Sequence, residues 1–190
     1  MSSESQREQV LRGVADAIAA KGYSATTVAD IAKAARASRT TVYAQFPDKD
    51  SALIALHQEF GARVVAAVLE AHSAATGGWR ERLAAMVGAY VEAMASASDG
   101  ERASLLEVAS IGPAGRASRM AGQDRFASVV VDISIDLAAA FEELRPLPEP
   151  LALGAVAAIN ELALRARTPD DIRALAPVAA DFLERLVRDA

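Results

Sequence analysis

Five of the seven side chains between Arg39 and Gln45 can form hydrogen bonds: Arg39, Thr40, Thr41, Tyr43 and Gln45. Val42 and Ala44 are the exceptions, and Val42 with Phe46 four residues on supplies two apolar anchors. Wound as a short helix, the stretch turns its donors and acceptors outward and its two anchors inward. An arginine fork matches O6 and N7 of guanine, and a glutamine amide matches N6 and N7 of adenine. Arg39, Thr40, Thr41 and Gln45 are therefore the candidates for reading base edges. Thr27, Arg36, Tyr43 and Lys49 flank them with hydroxyls and cations suited to phosphate oxygens.

Other chemistry is poorly represented. The chain has no cysteine and only two histidines, His57 and His72, which stand apart. A disulfide framework, a thiolate metal site and a zinc centre are thereby disfavoured, so no metal is expected. No nucleophile elbow, phosphate-binding glycine loop or HExxH motif occurs. Glu142-Glu143 and Asp170-Asp171 read as solvated or helix-capping charges. The pattern argues against an enzyme and implies no cofactor.

A recognition helix needs a partner that fixes its approach. Val28, Ile31, Ala32 and Ala35 recur at spacings of three and four, which predicts a helix over 27–35 with one buried stripe. Thr27 is a good N-cap, with Asp30 at the capping-box spacing, and Ser38 can cap the helix over 39–45. Phe46-Pro47 ends that helix, because a residue before proline avoids helical backbone. An earlier helix is expected over 6–21, capped by Ser5 with Glu8 and buried through Val10, Leu11, Val14 and Ile18. Gly22 ends it. Asp48 caps a long helix over 49–72, long enough to link a head to a body.

Residues TTVADIA, a small-residue turn, S-R-x-T-V-Y-x-x-F and a following D-K, preceded by Lys21-Gly22-Tyr23, resemble the DNA-binding domain of TetR-family transcriptional regulators. The family usually has Gly and Val at the turn, where this chain has Arg36 and Ala37. A residue other than glycine in left-handed backbone there costs about 1–2 kcal/mol, which Arg36 can repay by reaching a phosphate. The resemblance implies a ligand-responsive regulator, a repressor that binds a palindromic operator as a homodimer. The rival reading is a helical protein–protein interaction module whose helix-turn-helix-like head does not bind DNA specifically.

The net charge of −5 becomes intelligible when divided along the chain. Residues 1–50 carry seven Lys/Arg and six Asp/Glu, and the remaining residues carry 13 and 19. Lys33, Arg36, Arg39 and Lys49 can neutralise phosphates while an acidic body discourages indiscriminate binding.

After the Thr76-Gly77-Gly78 break, helices are expected over 79–96, 101–110, 117–144, 151–165 and 169–189. Buried stripes are Leu83 to Met94 in the first, Leu105, Leu106, Val108 and Ile111 in the second, and Phe126, Val130, Ile133, Leu137, Phe141 and Leu144 in the third. Pro177 should kink the last helix. The predicted fold is all-α with about nine helices: a helix-turn-helix domain over 1–48, then a larger ligand-binding and dimerisation domain over 49–190. The resemblance implies an unknown small-molecule effector, apolar or amphipathic, in a pocket drawn from Met86, Tyr90, Met94, Phe126, Val130, Ile133 and Asn160. Asn160 and Glu161 interrupt an apolar helix, and ligand, dimer register and surface are equally open readings for them. By the same resemblance, the helices over 151–165 and 169–189 form the homodimer interface. The N-terminus lacks a basic apolar leader and no uncharged apolar run reaches about 18 residues. A cytoplasmic protein without a membrane partner is the expectation.

Overall fold

A computed structural model describes residues 3–188. Among them the chain forms ten α-helices and one 3-10 turn: α1 (Ser3–Ala25), α2 (Val28–Ala34), α3 (Arg39–Gln45), α4 (Lys49–Ala74), α5 (Trp79–Ala95), α6 (Asp99–Glu107), the 3-10 turn (Val108–Ile111), α7 (Pro113–Ala140), α8 (Glu149–Arg165), α9 (Pro169–Arg173) and α10 (Ala176–Val187). The only β pairing among the described residues is an isolated antiparallel bridge between Leu144 and Arg188. The all-α expectation holds.

The chain divides into two compact units, residues 1–61 with 97–120, and residues 62–96 with 121–190. In the first, α1 packs against α2, α3 and α6. Its core contains Val10, Leu11, Val14, Ile18, Ile31, Val42, Phe46, Leu53 and Leu56, with Ala103 and Ile111 packed against them. Two close approaches shape this unit. A methyl group at Gly13 would lie 2.5 Å from Ala35 Cβ and 2.6 Å from its backbone N, and one at Gly100 would meet the Ala15 carbonyl oxygen at 1.9 Å. Both positions therefore require glycine.

In the second unit α5 packs on α9 and α10, and α10 also packs on α8. Leu83, Met86, Val87, Tyr90, Val91 and Met94 all face inward from α5, as their spacing predicts. One helix, α4, holds an 18-residue window of mean hydropathy 1.4, apolar enough by composition to cross a membrane. That composition also suits a core helix, and Leu53, Leu56, Phe60, Val64 and Val68 are buried within the protein.

Several boundaries differ from the sequence expectation. Helix α1 begins at Ser3, so Ser5 lies inside it and not at its cap, while Gly22 breaks the regular backbone at φ 76°. Helix α7 starts at Pro113, where a proline costs no hydrogen bond, and stops at Ala140, so Phe141 and Leu144 lie beyond it. Leu106, expected inside, is 54% exposed. The predicted last helix is two helices, divided at Ala174-Leu175. Pro177 lacks an N–H and its ring clashes with the carbonyl four residues back, at Arg173, which is where α9 ends. The predicted end of that segment at residue 189 lies outside the described residues.

Candidate nucleic-acid interface and apolar cavity

The helix pair over Thr27–Gln45 is built from local side-chain bonds. Thr27 Oγ1 accepts from Asp30 N at 3.3 Å, and Thr27 N donates to Asp30 Oδ2 at 2.8 Å, closing the capping box. Lys21 Nζ lies 2.6 Å from the same carboxylate. These bonds, Lys21 first, hold the Asp30 carboxyl well below the usual carboxylate range. Ser38 Oγ accepts from Thr41 N at 3.0 Å and caps α3.

The turn between the helices is a Schellman motif. Arg36 N donates to Lys33 O at 3.1 Å and Ala37 N to Ala32 O at 2.9 Å. Arg36 is the only residue other than glycine with positive φ among those described, at 50°. The turn thus keeps a glycine-like conformation with an arginine in it, at a cost of about 1–2 kcal/mol. Gln9 Nε2 donates to Ala35 O at 2.6 Å and supports the same corner.

The candidate nucleic-acid residues are not equally available. Arg36, Arg39 and Thr40 are exposed, and Tyr43 is 55% exposed. None of the four side chains makes a hydrogen bond or ion pair among the described residues. Gln45 is half-buried. Thr41 is half-buried, its Oγ1 2.9 Å from Ser38 Oγ. Thr27 is exposed, but its hydroxyl belongs to the capping box. Lys49 is engaged: its Nζ donates to Tyr23 O at 3.3 Å and Thr26 O at 3.1 Å, and sits 4.5 Å from the Tyr23 ring centroid. Tyr23 in turn donates its hydroxyl to Asp50, and burial together with that carboxylate pushes the phenol pKa up. Lys49 therefore tethers the end of α1 to the start of α4, a role its sequence position does not announce.

The second unit holds a partly open cavity of about 90 Å³. Met86, Tyr90, Phe126, Val130 and Ile133 line it, whereas Met94 is buried elsewhere and Asn160 stands behind the wall. Asn160 Oδ1 accepts the Tyr90 hydroxyl at 2.6 Å, and burial pushes the Tyr90 phenol pKa up. The rings of Tyr90 and Phe126 are 5.9 Å apart. Glu161 is exposed and pairs with Arg165 at 2.6 Å. Lining residues that the sequence reading leaves out of the pocket include Leu144, expected in the buried stripe of the helix over 117–144, Leu147 from the proline-rich break, and Ala179, Leu183 and Val187 from α10. No charged residue lines the cavity. Among the described residues no group of three or more His, Asp or Glu is arranged to hold a metal ion.

Residues 11–56 match the family model for bacterial regulatory proteins of the tetR family. No curated protein sequence matches the chain. Among solved structures, the fatty acid degradation regulator FadR of Bacillus halodurans is similar at 22% identity, with a TM-score of 0.79 and 94% of each chain covered. The transcriptional regulator FadR of Bacillus subtilis, solved with stearoyl-CoA, is 19% identical with a TM-score of 0.76, covering 93% of this chain and 96% of its own. A tetR-family regulatory protein from Rhodococcus RHA1 is 26% identical with a TM-score of 0.71, covering 97% and 98%. The stretch from Thr26 to Lys49 thus lies within the residues that match the tetR-family model, and the chain shares the fold of these solved regulators.

Proposed function

We propose that this chain, a regulator of the TetR type, is a repressor. It binds a palindromic operator as a homodimer and leaves it when a small apolar or amphipathic molecule occupies the cavity. One observation carries the DNA reading: Arg36, Arg39, Thr40 and Tyr43 project unpaired from a rigidly capped helix pair. Arg39, Thr40, Thr41 and Gln45 are assigned to base edges, and Thr27, Arg36, Tyr43 and Lys49 to phosphates. The functional division is a DNA-binding head over 1–48 and a ligand-binding and dimerisation body over 49–190.

The homodimer reading through α8, α9 and α10 is supported by Leu151, Leu162, Val178 and Phe182, which are 48, 43, 56 and 36% exposed. Apolar side chains of this size on one set of helices suit a partner. The apolar cavity lining supports an apolar effector, and the similarity to a regulator solved with stearoyl-CoA favours an acyl compound. Effector binding moves the population away from the DNA-binding state only through a differential affinity for the two states. The reading places the protein in the cytoplasm, with no catalytic role and no membrane partner.

The test is selection of bound sequences from a random duplex pool, with oligomeric state followed by light scattering. An enriched palindrome bound by a dimer is the expected result. On the selected site, Arg36→Ala should weaken binding and reduce the salt slope by about 1, whereas Arg39→Ala should relax sequence preference. No enrichment and no binding at low salt, from a folded sample, would overturn the reading in favour of the interaction module.

A further inference from the structure

The cavity is smaller than any ligand the preceding reading allows. At about 90 Å³ it falls below the ~150 Å³ that holds a benzene molecule in a protein core. Holding a whole ligand inside it therefore requires a wall to move. Most of that wall is helical, drawn from α4, α5, α7, α8 and α10, and each of these carries its own backbone hydrogen-bond ladder. The exception is the segment from Phe141 to Pro148, which contributes Leu144 and Leu147.

This segment is a strap with two faces. Leu144 and Leu147 are 6% and 2% exposed, while Glu142, Glu143, Arg145 and Pro146 are exposed. Pro146 and Pro148 have no N–H with which to join a ladder. The strap is held at separate points. Arg145 N donates to Val187 O at 2.8 Å. Leu147 N donates to Ser134 Oγ at 2.8 Å, and Glu143 Oε1 accepts from Trp79 Nε1 at 2.8 Å. Trp79 is itself fixed, with the Arg80 guanidinium 4.1 Å from its ring centroid and Arg80 bonded to Glu184 of α10. Its other backbone bonds are local, from Phe141 N to Leu137 O and from Leu144 N to Phe141 O, and a mostly exposed segment without a continuous helical ladder opens before the helices around it do.

The geometry points to the Phe141–Pro148 strap as the gate of the cavity, with the Trp79–Glu143 hydrogen bond as its latch. Lifting the strap withdraws Leu144 and Leu147 together, enlarging the partly open cavity and widening its mouth in one movement. This rests on the reading that the cavity takes a ligand. Trp79 is the only tryptophan in the chain, so its emission reports the latch directly.

The experiment uses the full chain and 1-octanol, an uncharged and optically silent probe. Calorimetry gives equilibrium binding, and stopped-flow Trp79 emission gives the rate. Leu144 and Arg188 are paired across an antiparallel bridge, a spacing that a disulfide can span. Because the chain has no cysteine, Leu144→Cys with Arg188→Cys creates a single, unambiguous lock. Oxidised, this variant should bind at least about tenfold more slowly than when reduced, since opening now requires a wall other than the strap to yield. Glu143→Ala, which needs no new covalent bond, should speed association and dissociation roughly five- to tenfold, the worth of one net hydrogen bond. Equal rates in the oxidised and reduced forms, or calorimetric binding that leaves Trp79 emission unchanged, overturn the gate alone. Absence of any binding heat in the wild-type chain overturns the ligand reading and the gate with it.

Discussion

The two units use their polar groups in different ways. In the first, polar side chains shape the backbone: Thr27, Asp30 and Ser38 cap short helices, Gln9 supports the turn, and Lys49 collects two carbonyl oxygens from the end of α1. In the second, the interior facing the cavity is apolar and the polar groups sit at its margin. Tyr90 turns its hydroxyl away to Asn160, and Ser134 turns its own to Val131 O and Leu147 N. Helices as short as α2 and α3 are marginal on propensity alone and depend on caps and packing. A cavity that accepts an apolar ligand needs its polar groups satisfied elsewhere. One region is organised to hold a shape and the other to leave room.

Glycine substitution tests that difference most sharply. Gly13→Ala should destabilise the first unit by about 2–3 kcal/mol, because the added methyl overlaps the backbone of Ala35. Gly88→Ala in α5 meets nothing within 4 Å and should stabilise by about 0.5–1 kcal/mol. Denaturant unfolding compares the two, and a neutral Gly13→Ala would show that the contact between α1 and the corner after α2 is loose. Next in size is Tyr90→Phe. It leaves the Asn160 carbonyl without its donor and should cost roughly 1–2 kcal/mol. Adding Asn160→Leu should recover most of that loss, and a double variant less stable than Tyr90→Phe would argue that Asn160 has another partner.

Thr27→Ala should then cost about 1 kcal/mol through loss of the α2 cap. If it leaves melting temperature unchanged, the capping box is not what fixes this helix. The smallest effects are those of pH. Hydrogen bonds from Arg173 and Ser96 lower the Glu92 carboxyl from 4.5 to about 2. A carboxyl depressed in the folded state adds stability above its unfolded value and loses it as pH falls toward the folded value. Melting temperature should therefore decline between about pH 4.5 and 2, and Glu92→Gln should flatten the decline. Asp30 acts in the same direction in the first unit, so Asp30→Asn should have a parallel effect there.

Much of the first unit is legible in the sequence because its instructions are local. The range Arg39–Gln45 is read from one cap, one proline and two anchors, all within ten residues. Arg36 in left-handed backbone is one of two outcomes that the resemblance leaves open, a strained turn or a rebuilt one, and the structure takes the first. Distant contacts leave no comparable mark. Nothing near Gly13 announces Ala35, nothing near Gly100 announces Ala15, and nothing near Lys49 announces the carbonyls it receives. In the second unit the apolar spacing that runs through Leu137, Phe141 and Leu144 suits a longer α7. Leu137 does lie in α7, but Leu144 instead covers the cavity from a strap, a choice made by tertiary packing and by the prolines that follow. Pro177 is legible as a disturbance, but whether it bends or ends a helix depends on the neighbours of Arg173.

The first unit is assembled from two stretches separated along the chain, residues 1–61 and 97–120. On the ribosome the helix pair therefore emerges long before α6, whose Gly100 lies against α1 at Ala15. At synthesis rates of about 5–20 residues per second, roughly 3–12 s pass between completion of the first stretch and the second. During that interval the face of α1 that α6 will cover is bare. The nascent head waits for its last wall, and a fragment cut after residue 61 would carry that vacancy permanently.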